Sequence, residues 1–191
     1  MKSSISIKNG EPILLIDGVA TAAMAYTTYF PERSRHEDFI AAGYRLFFVN
    51  VSFTKLPINP ETEFSPFRVG VFEDPAIPDY SEFEDSVRSI LRNYPDAIIF
   101  PRIYVSMPKW WVDTHPDDVS PTDKGALREV IFSEAFRRDG AELLVKLIRH
   151  IQRSDYAQRV VFGADLPESE TDSVEFCLKE NETALFSIST T

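Results

Sequence analysis

The sequence is short of three things on which large classes of protein depend: cysteine, clustered glycine and positive charge. Cys177 is the only cysteine, so no disulfide can form within the chain, and a reducing, cytoplasmic location is expected. The 7 glycines are scattered and form no phosphate-binding loop, which argues against nucleotide binding through such a motif. The excess of 30 Asp+Glu over 20 Lys+Arg gives a net charge of −10, which disfavours nucleic acid and anionic membranes as partners.

Long apolar runs are also absent. No segment approaches the ~18 consecutive apolar residues of a membrane-spanning helix, and polar residues interrupt residues 1–16, which do not resemble a signal peptide. His36, His115 and His150 are far apart in the sequence, so no metal site is expected, and no motif requires a cofactor. With 43% hydrophobic and 26% charged residues, the 191-residue chain is predicted to form a single globular domain.

The first 18 residues predict an amino-terminal β-hairpin. Residues 3–8 alternate polar and apolar side chains, Asn9-Gly10 is a strong two-residue turn signal, and residues 12–16 return as a second strand. Asp17-Gly18 is a second turn signal of the same kind. We therefore expect two antiparallel strands at the start of the chain, followed by another tight turn.

Predicted strands and helices alternate along the rest of the chain. Capping boxes at Ser34/Glu37 and Ser81/Glu84 predict the starts of two helices, and Gly43 predicts a left-handed end for the first. The predicted strands are 23–28, 44–53, 97–105 and 159–166, and the predicted helices are 34–43, 81–94 and 133–153. Strands that alternate with helices form a parallel sheet with right-handed crossovers.

Two long irregular segments, 54–80 and 106–132, follow the second and third of these strands. In parallel α/β folds the functional residues lie at the carboxyl ends of the strands, where these segments begin. Pro101, inside the third strand, indicates a strand end or a bulge nearby, because proline donates no ladder hydrogen bond. A flavodoxin-like open sheet is the alternative fold, and a strand order of 2-1-3-4 rather than 1-2-3-4 would identify it.

Aromatic and polar residues at these strand ends are the candidates for ligand binding. Two adjacent tryptophans follow the third strand; an indole ring can stack on the apolar face of a sugar, and the alternative is packing beneath the 106–132 segment. An arginine and a tyrosine share one face of that strand. The arginine could bind a hydroxylated or anionic ligand, or close the sheet end through an ion pair. The candidate binding residues are Trp110, Trp111, Arg102, Tyr104, Asn50 and Tyr26.

An acidic segment, residues 165–172, follows the fourth predicted strand. Two carboxylates that flank a glycosidic bond can serve as acid and as base or nucleophile, which makes Glu168 and Glu170 candidate catalytic residues. A solvated acidic loop is the alternative. Residues 167–191 are expected to form a divergent acidic tail with a weakly β-like end at 184–188.

A set of short stretches within about residues 10–163 resembles one known family. The stretches are Ile16-Asp17-Gly18, 26–33 (Tyr-Thr-Thr-Tyr-Phe-Pro-Glu-Arg), 42–46 (Ala-Gly-Tyr-Arg-Leu), 95–97 (Pro-Asp-Ala), 100–102 (Phe-Pro-Arg), 106–111 (Ser-Met-Pro-Lys-Trp-Trp), 115–117 (His-Pro-Asp), 147–151 (Leu-Ile-Arg-His-Ile) and 154–157 (Ser-Asp-Tyr-Ala). As a set they resemble the amino-terminal half of a (β/α)8-barrel glycoside hydrolase, of the β-galactosidase-like kind related to glycoside hydrolase family 42.

The resemblance implies a partial (β/α) barrel, strands 1–4 of a TIM-type barrel, with the hairpin of residues 1–18 covering its bottom. It also implies a carbohydrate ligand, β-galactoside-like, at the carboxyl ends of the strands. The acid/base glutamate would follow strand four, where Glu168 and Glu170 lie. The nucleophile would follow strand seven, which is absent from the chain, so enzyme activity is left open.

A truncated and inactive half-barrel is therefore one interpretation of the resemblance. A non-catalytic carbohydrate-binding or oligomerising α/β module is the alternative function. The open strand edges and uncovered inner face of a half-barrel would favour association, so a homodimer or completion by another chain is expected.

Overall fold

Ten strands and four helices lie in the residues that the computed structural model describes, which are 3–57, 63–162, 174–177 and 185–188. The strands are β1 (Ser3–Lys8), β2 (Glu11–Ile16), β3 (Val19–Thr21), β4 (Ala25–Tyr26), β5 (Leu46–Ser52), β6 (Ile98–Tyr104), β7 (Val119–Pro121), β8 (Leu127–Glu129), β9 (Val174–Cys177) and β10 (Leu185–Ile188). The helices are α1 (His36–Ala41), α2 (Ser81–Asn93), α3 (Lys109–Thr114) and α4 (Glu134–Gln152). Within the described ranges, none of the helices has both the length and the apolar character that crossing a bilayer requires.

The first three strands form an antiparallel sheet in the order β1-β2-β3. The predicted hairpin is confirmed, because β1 pairs with β2 and the turn residues Asn9 and Gly10 have φ of 55° and 83°, as a type I′ turn requires. Asp17 and Gly18 form the second predicted turn, with φ of 48° and 79°. This turn adds β3, a strand that the sequence pattern did not predict.

The central sheet is parallel, with the strand order β4-β5-β6. This order is sequential as predicted, and it excludes the flavodoxin-like order for these three strands, in which the first would lie between the other two. A fourth strand is represented by one parallel bridge between Ile99 and Val160, and residues 163–166 of the predicted strand lie outside the described residues. The structure thus shows a mixed α/β fold with a three-stranded parallel sheet, and it does not confirm a partial barrel.

Of the strand end or bulge expected near Pro101, the bulge is wrong, because β6 keeps its register with β5 through the proline. The strand ends at Tyr104, three residues further on. Ile98 donates its amide hydrogen bond to Arg45 on the β5 side (2.8 Å), whereas the Ile99 carbonyl accepts from Val161 on the other side (2.9 Å). In a parallel strand, the backbone groups of successive residues point alternately to the two neighbouring strands. The nitrogen of Pro101 therefore points away from β5, as the backbone groups of Ile99 do. The missing proline N–H therefore removes no bond from the β5–β6 ladder.

Helices α2 and α4 cover one face of the parallel sheet. Each helix repeats apolar residues every three or four positions, which places them on one side. The predicted faces are confirmed: the buried apolar residues are Phe83, Val87 and Ile90 on α2 and Phe136, Leu143, Leu144, Leu147, Ile148 and Ile151 on α4. They pack against the alternate β5 residues Phe47, Val49 and Val51, which points the remaining β5 side chains to the opposite face.

The amino-terminal sheet covers the lower end of that opposite face. Leu14 and Ile16 from β2 form a buried cluster with Leu46 and Ile98, the first residues of β5 and β6, and with Val161. This contact closes the end of the sheet at which the strands begin. The carboxyl ends of the parallel strands are therefore the end of the sheet at which a site can form.

Neither predicted capping box forms, although both helices exist. The N-cap residues are Arg35 for α1 and Tyr80 for α2, one residue later and one residue earlier than predicted. Glu84 does not reach back to the start of α2, because its carboxylate lies 2.8 Å from Nε2 of His150 on α4. Gly43 ends the first helical segment with φ of 88°, as predicted.

The segment 106–132 is more regular than predicted. Residues 109–114, which include both tryptophans, form α3, and β7 and β8 form an antiparallel pair before α4.

Towards the end of the chain, β9 and β10 form another antiparallel pair, in which β10 falls within the predicted β-like residues 184–188.

Helix α4 gives a direct test of the capping assignments. The Ser133 side chain accepts a hydrogen bond from the Phe136 amide (3.0 Å), so Ser133→Ala should lower the free energy of unfolding by about 1 kcal/mol in urea denaturation. Ser89→Ala is the matched control, because Ser89 lies inside α2 and caps neither end of that helix. An equal loss in the two variants would contradict the structure.

Candidate functional site

The face of the parallel sheet opposite α2 and α4 carries four layers of neighbouring side chains. β5 and β6 pair in register, and alternate residues of each strand share this face. From the start of the strands to their end, the layers are Leu46/Ile98, Phe48/Phe100, Asn50/Arg102 and Ser52/Tyr104. The face thus changes from apolar at the covered end to polar at the carboxyl ends of the strands.

The second layer is an apolar pair that the described residues leave partly open. The rings of Phe48 and Phe100 lie 5.7 Å apart, and Phe48 is 39% exposed. The expected homodimer, or completion by another chain, would cover this layer, and it stays a prediction.

Arg102 in the third layer is held over two aromatic rings. Its guanidinium carbon lies 5.4 Å from the centre of the Tyr29 ring and 5.3 Å from that of Tyr104. The two tyrosines are joined, because the Tyr104 hydroxyl donates to the Tyr29 hydroxyl (2.9 Å). Arg102 is exposed, and among the described residues it forms no ion pair. The rings therefore hold the guanidinium group through cation–π contacts and leave its N–H groups available to a ligand.

The environment of Tyr104 keeps its hydroxyl group protonated. Burial is the main cause that raises the pKa of Tyr104 well above its usual value of 10.0, and the bond to Tyr29 raises it further, against the opposing charge of Arg102. The hydroxyl group can therefore keep donating its hydrogen bond even at a pH at which an ordinary tyrosine ionises. Phe67 packs on the Tyr104 ring at 5.1 Å between ring centres and supports it from the 63–80 segment.

Asn50, the neighbour of Arg102 in the third layer, acts on the backbone after β4. Its Nδ2 donates to the Thr28 carbonyl (2.7 Å), and the Thr28 hydroxyl accepts from the Phe30 amide (3.0 Å). These bonds position Tyr29, which lies between the two bonded residues. The Asn50 Oδ1 is buried and has no hydrogen-bond partner among the described residues, so no solvent-exposed ligand reaches it without a shift of its neighbours.

A small pocket lies beside this group, lined by Thr28, Tyr29, Asn50 and Phe67 among others, with a volume of about 30 Å³. This volume exceeds the roughly 10–15 Å³ that one water needs, but ligand pockets are usually about 300 Å³ or more. A ligand larger than a few atoms would therefore rest on the rim above the pocket, against the tyrosines and Arg102.

Two carboxylates fasten the 63–80 segment that carries Phe67. Glu82 accepts from the Arg68 and Val69 amides (3.0 and 2.8 Å), and Glu73 accepts from the Thr54 hydroxyl (2.9 Å) and the Lys55 amide. A Cβ at Gly70 would overlap both the Glu73 carboxylate and the backbone at 54–55. These acids and this glycine thus hold the segment against the end of β5.

The structure brings together three of the predicted binding residues, Asn50, Arg102 and Tyr104. The other three lie with the core on the opposite face of the sheet, where Trp111 is buried and Tyr26 and Trp110 pack against the core. Tyr26 contacts the ring of Phe39 on α1, and its hydroxyl accepts from the Arg35 amide (3.0 Å). Glu168 and Glu170, the predicted catalytic residues, lie outside the described residues.

Both tryptophans have structural partners. The half-buried Trp110 donates from its indole N–H to the Phe72 carbonyl (2.7 Å). Trp111 is fully buried, stacks on His115 with ring centres 4.3 Å apart, and donates to the Asp139 carboxylate (2.8 Å). The buried ring of Trp111 presents no surface to a ligand.

Sequence reasoning did not select Tyr29 and Phe67, which supply two of the aromatic rings around Arg102 and Tyr104. Both residues lie in loops, and the position of neither follows from strand or helix periodicity. Two features of the sequence could have indicated them. Tyr29 directly follows the predicted strand 23–28, and Phe67 lies in the long irregular segment 54–80, and such loops often carry functional residues.

No protein-family model matches the sequence, and no curated protein matches it. Among solved structures, the chain is similar to a β-galactosidase from the psychrophilic Marinomonas ef1, with a TM-score of 0.46 and 13% sequence identity. The match covers 74% of this chain and 21% of that chain, so the present chain spans about a fifth of the length of that enzyme.

The Trp111–Asp139 contact yields a pH-dependent prediction. Burial raises the pKa of Asp139, but bonds from Arg138 and Trp111 outweigh it, and the net pKa lies below the ordinary 3.8. A lowered folded-state pKa means that the charged carboxylate stabilises the fold above about pH 4, and that this contribution is lost as the pH falls further.

We expect Asp139→Asn to lower the free energy of unfolding by about 1 kcal/mol at pH 7 and by much less at pH 2–3, measured by urea denaturation. Asp117→Asn serves as the control, because it changes an exposed carboxylate just after α3, the helix that carries Trp111. A difference between wild type and Asp139→Asn that does not vary with pH would exclude this role for the charge.

Proposed function

We propose that the protein binds a carbohydrate on the rim formed by Tyr29, Arg102 and Tyr104 at the carboxyl end of its parallel sheet. The observation that carries the proposal is the exposed Arg102 guanidinium, held over two joined tyrosine rings without an ion pair among the described residues. A β-galactoside-like ligand is the specific expectation, and it comes from the resemblance of the sequence.

The chemistry of these groups suits a hydroxyl-rich ligand. Arginine offers five N–H donors in a fixed plane, and sugar hydroxyl oxygens accept such bonds. Tyrosine rings offer a flat apolar surface together with a polar tip, which matches the apolar C–H face and the hydroxyl edge of a sugar. The small volume of the pocket beside Tyr29 and Asn50 favours contact along a rim rather than enclosure.

We further propose that the chain recognises carbohydrate without hydrolysing it on its own. Retaining hydrolysis requires two carboxyl groups about 5–5.5 Å apart. Of the acids near this end of the sheet, Glu73 and Glu82 already accept bonds from backbone amides, which gives them a structural role. Hydrolysis with Glu168 or Glu170 as the acid/base is the second candidate, favoured by the resemblance alone.

Calorimetric titration with methyl β-galactoside and lactose tests the binding proposal. We expect Arg102→Ala to weaken binding about five- to tenfold, because the loss of one or two hydrogen bonds corresponds to roughly 1–1.4 kcal/mol. Arg92→Ala removes an exposed arginine from α2 and should bind as the wild type does. No detectable binding of any neutral or acidic glycoside by the wild-type protein at millimolar concentration would refute the proposal.

A separate assay decides between binding and hydrolysis. Release of nitrophenol from aryl β-galactosides and β-glucosides should not exceed the rate without protein. Turnover that disappears in Glu170→Gln or Glu168→Gln, with Glu175→Gln as a control in the same part of the sequence, would instead assign the chain as an enzyme.

A further inference from the structure

We infer that the carbohydrate recognised at this rim is anionic, carrying a carboxylate or a sulfate ester, and that Arg102 and Arg33 bind its charge. This inference rests on the proposed function and specifies the class of ligand. It depends on where positive charge lies in a chain whose net charge is −10.

Two arginines lie over aromatic rings of consecutive residues at this rim. Arg102 lies over Tyr29, and the guanidinium carbon of Arg33 lies 5.8 Å from the centre of the Phe30 ring. Phe30 itself is 41% exposed, and its ring lies 6.0 Å from that of Phe64, which is 40% exposed. Phe64 and Phe67 from the 63–80 segment thus contact the rings of Phe30 and Tyr104, and Arg33 lies beside the Phe30 ring.

The positions of these residues are defined by the backbone. The Phe30 amide donates to the Thr28 hydroxyl, and the Phe30 carbonyl accepts from the Arg33 amide (2.9 Å), which closes a short turn between Phe30 and Arg33. The Thr28 carbonyl is in turn bound by Asn50, the register neighbour of Arg102. One set of bonds therefore places both aromatic–arginine pairs relative to β5 and β6.

An anion is the partner that such guanidinium groups lack. Stacking on a ring occupies the face of the guanidinium group, while its in-plane N–H donors keep the fork geometry that matches a carboxylate or sulfate. Among the described residues, neither Arg102 nor Arg33 forms an ion pair with an acid, and Glu32, the sequence neighbour of Arg33, is no exception. A neutral sugar would use the donors but not the charge.

The test compares ligands that differ in charge and share a sugar ring. Binding of methyl β-galactoside, methyl β-galacturonide and a 6-sulfated methyl β-galactoside is measured by calorimetry at 50 mM and 200 mM salt. We expect at least one anionic ligand to bind fivefold or more tightly than the neutral one at 50 mM, and this preference to shrink at 200 mM because salt screens the charge. If the galacturonide shows the larger gain in affinity, the natural ligand carries a carboxylate. If the sulfated sugar does, the ligand carries a sulfate ester.

Glutamine variants test whether the charges of the two arginines, rather than the contact surface alone, cause the preference for an anionic ligand. Arg102→Gln should abolish most of the preference for the anionic ligand, and Arg33→Gln should reduce it, while Arg92→Gln on α2 should leave it unchanged. Glu32→Gln removes a neighbouring negative charge and should strengthen binding of the anionic ligand only. Circular dichroism checks that each variant is folded.

The outcomes distinguish this inference from the proposed function. Equal affinity for the neutral and both anionic ligands overturns the inference and leaves carbohydrate binding in place. The inference is equally overturned by a preference for the anions that Arg102→Gln does not change. If none of the three ligands binds, the proposed function and the inference fail together.

Discussion

The parallel pairing of β5 with β6 is the contact on which the rest of the structure depends. Seven consecutive residue pairs keep one register, and this register places Asn50 beside Arg102 and Ser52 beside Tyr104. Because side chains alternate between the two faces, the same pairing sends Phe47, Val49 and Val51 into the core beneath α2 and α4. A shift by one residue would exchange the two sets, burying the arginine and exposing the core. The hydrophobic core and the candidate site are therefore determined by a single register.

The loops at the carboxyl end are organised by bonds from side chains to the backbone. Asn50 binds the backbone after β4, and Glu82 and Glu73 bind the backbone of the segment after β5. Such bonds satisfy amides and carbonyls that regular structure does not pair in a loop. Each of them also orders a loop that carries an aromatic ring of the rim, so the residues that stabilise the loops shape the surface that a ligand would meet.

Two arginines at the rim lie over aromatic rings and form no ion pair among the described residues. They are Arg102 and Arg33. Arg88 on α2 also lies over a ring, that of Tyr156, but it is paired with Asp155 (2.8 Å). Exposed ion pairs contribute little to stability, whereas a guanidinium group on a ring keeps its in-plane donors for another molecule. This difference is the basis for the proposed recognition of sugar and of its charge.

Features that depend on neighbours within a few residues could be predicted from the sequence. Asn9-Gly10 closes the hairpin, Gly43 ends a helix, the three-to-four-residue repeat defines the faces of α2 and α4, and the spacing of two puts Arg102 and Tyr104 on one side of a strand. Which side that is depends on the packing of the folded chain, which also places Tyr26 and Trp111 on the core side and Tyr29 and Phe67 at the rim. In the folded chain, the Glu84 carboxylate also contacts His150, 66 residues further along the sequence, rather than the backbone at the start of α2. The physical reason is that turn and helix propensities act locally, whereas the burial of a side chain and its hydrogen-bond partner are set by elements that meet only when the chain folds.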